Sequence, residues 1–161
     1  MNWFRTLGVV CLVAFVATVA LGSFVAEAQD KGIDAIKKRG KLVVGTASGY
    51  YPFEMVDKKN ELVGFDVDIA KGIAKEMGVQ IEFQNYAFSG LIPALQSSKI
   101  DLVIAGMTVT DKRKEVVDFS DTYFVSGQAL LVNKSVPNVK KPEDLDKKDF
   151  VIAVSMGTTA D

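Results

Sequence analysis

The chain has 161 residues with 19 Lys and Arg against 20 Asp and Glu, a net charge of -1, so it carries no basic footprint for nucleic acid. It has no histidine, which excludes His-based metal centres, Ser-His-Asp and Cys-His machinery and most general-base schemes. Cys11 is the single cysteine, so an intramolecular disulfide and a Cys-based zinc site are excluded as well.

The N-terminus reads as a secretory signal peptide over residues 1–28. "MNWFR" supplies the positive charge, "TLGVVCLVAFVATVALGSFVA" the apolar run, and "AEA" a small-x-small site ending at Ala28. The alternative is an uncleaved anchor, because an apolar run of about 20 residues is long enough to span a bilayer. Lipid attachment at Cys11 is disfavoured, since bulky Val10 precedes it and it lies too early in the run.

After Ala28, strand-like and helix-like patterns alternate. "GIDAIKKRG" predicts a short helix closed by Gly40, and "KLVVGT" a buried strand broken by "ASGYYP". "FEMVDKKNELVGF" predicts a hairpin around a polar turn. "DVDIAKGIAKEMG" places Val67, Ala70, Ile73, Ala74 and Met77 on one helical face, with Gly78 closing it. "VQIEFQNY" predicts a strand, and "FSGLIPALQSS" a helix opened by Ser89 with Pro93 near its first turn. "IDLVIAG" predicts a buried strand, "TDKRKEV" a short helix and "VDFS" a brief strand. "TYFVSGQALLVNK" predicts a longer strand, "VKKPEDLDKK" a polar connection with one helical turn, and "DFVIAVSMG" a final strand. This alternation predicts an α/β fold, a mainly parallel sheet with helices on both faces.

"FVIAVSMGTTAD" reads as a strand running into the glycine-threonine turn that usually precedes a helix N-terminus. The pattern therefore predicts a C-terminally truncated domain; the alternative is a natural end with a frayed strand.

"GFDVDIAKGIAKEM", Gly64 to Met77, resembles the signature of the family 3 extracellular solute-binding proteins, the polar amino-acid receptors of bacterial ABC importers. Gly64, Phe65, Asp66, Val67, Asp68, Ile69, Ile73, Ala74 and Met77 all fit it. "KLVVGTASGYYPFEM", "FSGLIPALQSSKIDLVIAGMTVTDKRKEVVDFSDTYF" and "VIAVSMGTT" follow the family's order, so the resemblance covers essentially everything after the leader. It implies the two-lobed type II periplasmic-binding-protein architecture. Residues 29–124 would form lobe one without its C-terminal return, and residues 125–161 the crossover strand and the start of lobe two.

Capturing a zwitterion requires a donor for its carboxylate, and planar bidentate guanidinium suits that task better than ammonium. Charge pattern alone would leave Arg113, between Lys112 and Lys114, on a solvated helix face. The resemblance instead implies that the arginine of "T-x-T-x-x-R", here Arg113, clamps the ligand carboxylate. It also implies backbone contacts from Gly106 and hydroxyl or N–H contacts from Thr108, in a loop after a strand end where open α/β sheets bind ligands. Tyr50 and Phe88 match aromatic positions that flank the ligand, while Tyr51 is less well matched and Phe53 reads as core. Thr158 and Thr159, after Gly157, would meet the carboxylate from the other lobe. Thr110 and Asp111 read as a helix cap, and Asp66 and Asp68 as capping and dipole complementarity rather than a catalytic pair.

Two positions depart from the family pattern. Ala47 stands where several relatives carry an acid, which weakens the case for a basic ligand, and Ser155 stands where some glutamine receptors have a lysine. The acid that takes the α-ammonium would lie beyond Asp161.

The resulting expectation is a periplasmic, monomeric binding protein that uses no cofactor or metal. It would deliver a polar amino acid to the permease subunits of an ABC importer. The alternatives are a periplasmic enzyme on the same fold, similar to cyclohexadienyl dehydratase, a sensor or regulatory binding module, and a truncated product that does not fold stably.

Overall fold

The computed structural model describes residues 32–136, 138–147 and 150–161, so the expected leader lies outside the described residues. The sheet, the site and every helix below except the start of the first lie in one compact unit, Ile36–Asp161.

The first helix, α1, spans Ile33–Arg39 and closes at Gly40, whose φ of 73° suits glycine. Strand β1, Lys41–Thr46, follows directly and is apolar on both faces: Leu42 is 2 % and Val44 0 % exposed on one, Val43 8 % on the other. A strand buried on both sides belongs at the centre of a parallel sheet. β1 pairs in parallel with β4, Gln80–Asn85, from Lys41↔Gln80 to Thr46↔Asn85, and with β5, Leu102–Val103, on its other side.

Between β1 and β4 lie a hairpin and helix α2. The hairpin pairs β2, Met55–Val56, with β3, Leu62–Val63, antiparallel. Its turn is held by Asp57, whose Oδ1 accepts from the backbone N–H of Lys59 and of Glu61. Helix α2, Phe65–Met77, buries Val67, Ala70 and Ala74, and ends at Gly78 in the left-handed conformation. Leu42 and Val44 pack with Ala70, Ala74 and Ile104 on this side of the sheet, with Ile73 and Met77 against the same cluster. The predicted apolar face of α2 is thus the face that meets the sheet.

After β4 the chain crosses to the opposite face. A 3-10 turn, Phe88–Gly90, leads into α3, Leu91–Gln96. Ser89 lies inside the 3-10 turn and does not open the helix as a cap; Gly90 takes that position with no side-chain hydrogen bond. Val43, Ala94 and Ile100 form the core on this side. Gly45 lets the layer approach: a Cβ there would lie 2.3 Å from Ile100 Cδ1 and 3.2 Å from Leu91 Cδ2. Each fully buried Leu or Val contributes about 1.5–3 kcal/mol, so these two apolar layers fix the sheet.

The strand order β4–β1–β5 means that the chain steps one way from β1 and then crosses back over it. The loops after the carboxyl ends of β1 and β5 therefore diverge at a topological switch point, where open α/β sheets bind ligands. Past β5, the short helix α4 spans Asp111–Lys114 and a 3-10 turn spans Pro142–Leu145, both as expected.

Three expected strands differ. Residues 117–120, 122–134 and the described part of 149–157 are not assigned as strand. A strand is stabilised by its ladder of neighbours, and residues of high strand propensity without a partner edge remain unpaired backbone.

Candidate functional site

Arg113 is placed by the first turn of α4. Thr110 caps that helix, its Oγ1 accepting from the Arg113 N–H at 3.3 Å, as the sequence predicts. The Arg113 side chain is half-buried while Lys112 and Lys114 are exposed, so it does not share their solvated face. Its Nη1 donates to the Thr108 carbonyl at 2.7 Å and its Nη2 to the Gly157 carbonyl at 2.8 Å. The guanidinium lies 5.3 Å from the centroid of the Phe88 ring, in cation–π range. Burial pulls its pKa down from the ordinary arginine value, yet a guanidinium stays charged at neutral pH. A guanidinium has further N–H donors beyond the two used here, and these suit a carboxylate.

Gly106 follows β5 with a φ of +53°, and a Cβ there would lie 2.9 Å from Tyr50 Cε1. Tyr50, from the loop after β1, therefore covers the Gly106 backbone directly. The Tyr50 ring stacks on Phe53 with centroids 5.1 Å apart, and Phe53 meets Phe124 edge-on at 4.9 Å. Phe53, expected in the core, is a half-buried member of this aromatic cluster.

The expected site residues thus form two groups at the carboxyl end of the parallel sheet, in segments that follow β1, β4 and β5. Arg113, Phe88 and the Thr108 carbonyl form one; Tyr50 and Gly106 form the other. The Thr108 side chain is not part of the Arg113 contact, which uses its carbonyl. Thr158 Oγ1 donates to the Ser155 carbonyl at 2.8 Å, and Thr159 Oγ1 accepts from Gln128 Nε2 at 2.6 Å. Gly157 rather than either threonine reaches Arg113.

Asp66 is not the helix cap expected from the sequence. Gly64 occupies the N-cap of α2 without a side-chain bond, and Asp66 is only 2 % exposed. Its Oδ2 accepts from the Gly106 N–H at 2.7 Å and from the Tyr123 hydroxyl at 3.0 Å. Asp68, its exposed neighbour in the first turn, keeps the position expected for dipole complementarity. Glu54 is 1 % exposed beside Asp66, and desolvation followed by the Asp66 charge pushes its pKa up to about 8. Burial first, then Asp66, also pushes the Tyr123 hydroxyl above its usual range. Glu54 and Tyr123 are not among the residues that the sequence singles out. The available signal was an acid set between Phe53 and Met55 in an otherwise uncharged run. Among the described residues, no group of three or more Cys, Asp or Glu side chains is arranged to hold a metal.

Comparison with known proteins places this arrangement in context. The chain is 38% identical over 157 residues to the arginine-binding extracellular protein ArtP of Bacillus subtilis, covering 98% of this chain and 56% of that protein. It is 40% identical over 135 residues to a glutamine-binding protein of Geobacillus stearothermophilus, covering 80% of this chain and 50% of that one. The chain thus spans about half the length of the curated relatives it matches. Among solved structures, the ancestral amino acid-binding protein AncCDT-1, a precursor of cyclohexadienyl dehydratase, matches with a TM-score of 0.75 at 50% identity, covering 79% of this chain and 56% of that one. The arginine-bound form of domain 1 from TmArgBP, from T. maritima, matches with a TM-score of 0.57 at 53% identity, covering 58% and 74%. The type II periplasmic-binding-protein fold, present here as a partial lobe, follows from these likenesses and from the parallel β4–β1–β5 sheet. The model of the bacterial extracellular solute-binding proteins, family 3, matches residues 42–156, from the central strand through the extended segment that ends beside Gly157, and the chain belongs to that family.

Proposed function

We propose that this chain carries the ligand-clamping part of an extracytoplasmic receptor for a polar amino acid, which an ABC importer permease then receives. The observation that carries this reading is Arg113: a half-buried guanidinium over an aromatic ring, beside a glycine loop at the carboxyl ends of two parallel strands. Relatives named for binding arginine, glutamine, cystine and histidine support the polar amino-acid class. The similar solved structure of domain 1 from TmArgBP is an arginine-bound form, which supports assigning ligand contacts to this half of the fold.

In this reading Arg113 holds the α-carboxylate, Gly106 and Thr108 offer backbone and hydroxyl contacts, and Tyr50 and Phe88 flank the side chain. Thr158 and Thr159 approach from the second lobe. Residues 1–28 direct export, residues 29–124 belong to lobe one, and residues 125–161 form the crossover and the start of lobe two. The receptor acts as a monomer without cofactor or metal, and hinge closure on the ligand signals the permease.

A second reading, an enzyme on the same scaffold, is supported by the likeness to a precursor of cyclohexadienyl dehydratase. Thermal-shift screening of the chain against the standard amino acids separates the two. Saturable stabilisation by a polar amino acid supports the receptor. Turnover of a cyclohexadienyl acid without any amino-acid shift replaces it with the enzyme.

A further inference from the structure

The described residues contain two buried carboxyl groups that the ligand-binding reading does not use. Glu54 follows the Tyr50 loop and bridges back to it: the Gly49 and Tyr50 N–H groups donate to its carbonyl, each at 2.9 Å. Asp66 opens helix α2, and its own N–H donates to the Phe53 carbonyl at 3.0 Å, which fixes it beside Glu54. Each side chain leaves one buried oxygen without a partner, Glu54 Oε2 and Asp66 Oδ1, and a side-chain hydrogen bond with Asp66 is among the causes that raise the Glu54 pKa.

Two carboxylates offer only acceptors, so two ionised groups in this position would leave both oxygens orphaned and two like charges desolvated together. One proton removes both costs. The charged group that bears on Glu54 is Asp66 from α2, and Tyr123 feels Asp66 and Glu54 with the Gly106 N–H opposing them. Among the described residues the ion pairs of Lys and Arg go to Asp101 and Glu82 rather than to this pair. A proton, rather than a lysine or arginine, is therefore the available counter-charge.

We propose that Glu54 is held protonated and donates to Asp66 Oδ1, and that this acid pair is a positioning element that fixes the ligand loop at Gly106 and the Tyr123 segment through Asp66 Oδ2. Asp66 then accepts on both oxygens: from Glu54 on one, and from the Gly106 N–H and the Tyr123 hydroxyl on the other. The loop that places Gly106 under Tyr50 is thus tied to α2 and to residue 123 by one buried side chain. That Gly106 lies in a ligand loop rests on the receptor reading, whereas the protonation of Glu54 does not.

Infrared spectroscopy of the chain tests this without any ligand, so its failure is distinguishable from failure of the receptor reading. At about pH 6, between the ordinary glutamate range and the raised value of Glu54, the wild type shows a protonated-carboxyl band. Absence of that band from the folded wild type overturns the proposal, with no variant required. Glu54→Gln supplies an amide donor in place of the proton, so the band disappears while exchange protection of the Gly106 N–H is kept. Asp66→Asn removes only the smaller cause at Glu54, the neighbouring charge, and its remaining side-chain oxygen should keep the Gly106 N–H protected. Asp66→Ala exposes the Gly106 N–H to exchange. A band that persists in folded Glu54→Gln assigns the proton elsewhere and also overturns the proposal.

Discussion

The Arg113 guanidinium reaches 44 residues along the chain to donate from Nη2 to the Gly157 carbonyl at 2.8 Å, while its Nη1 holds the Thr108 carbonyl five residues back. These bonds place the only cation of α4 that is not exposed between the loop after β5 and the C-terminal segment. A carboxylate that engages this guanidinium would meet a donor group whose orientation is set by protein carbonyls.

Shortening or exchanging this side chain should therefore weaken binding. Hydrogen bonds to charged groups contribute about 1.5–3 kcal/mol each, and about 1.4 kcal/mol corresponds to a tenfold change in affinity. Arg113→Lys keeps the charge and loses the bidentate fork, so calorimetric titration should show roughly tenfold or greater weakening. The ligand-free variant should also lose some thermal stability, because the Thr108 and Gly157 carbonyls lose their guanidinium donors.

Gly106→Ala should weaken both the loop and its cover. The residue sits at φ +53°, and the new Cβ would fall 2.9 Å from Tyr50 Cε1. Left-handed backbone costs a non-glycine residue about 1–2 kcal/mol, and displacement of the Tyr50 ring adds to this. Tyr50→Ala should relieve the steric part alone, so a double-mutant cycle in urea should show positive coupling. Additive effects would contradict the contact.

At Gly45 the obstacle is the core itself. A Cβ there would meet Ile100 Cδ1 at 2.3 Å, so Gly45→Ala should destabilise by about 1–3 kcal/mol, the range for overpacking. Ile100→Val removes that Cδ1 atom. The double variant should recover part of the loss in the urea midpoint.

Much of this fold was legible locally. The alternation of Leu42, Val43 and Val44, the apolar face of α2, the left-handed Gly40 and Gly78, and the Thr110 cap all depend on neighbours within a few residues. The role of Asp66 was not legible, because its partners Gly106 and Tyr123 lie 40 and 57 residues away. From the sequence it reads as a helix-start acid, and only the tertiary contacts show it holding a loop. The expected strands past residue 116 show the converse: strand propensity is written in the residues, whereas pairing depends on an edge that the described residues do not supply.

Stability should fall with rising pH because of Glu54. Its folded pKa of about 8 stands above the ordinary value of 4.5, so the folded chain keeps a proton that the unfolded chain releases between them. The stabilisation is fully present below the lower value and is lost as pH rises through the upper one. Urea midpoints measured from about pH 5 to about pH 9 should decline in wild type and flatten in Glu54→Gln.

The segments without strand partners expose apolar side chains: Leu131 is 99% and Val151 98% exposed. Extended apolar backbone without a paired edge favours self-association. Leu131→Lys with Val151→Lys should reduce concentration-dependent light scattering and leave the ligand-free circular dichroism spectrum unchanged.

Isothermal titration of wild type and Arg113→Ala with the amino acid that gives the largest thermal shift addresses the central assignment most directly. The carboxylate-clamp assignment predicts measurable saturable binding by wild type and at least a hundredfold loss in the variant, the order expected from two charge-assisted hydrogen bonds of about 1.5 kcal/mol each. Equal affinity in a folded Arg113→Ala chain would contradict it.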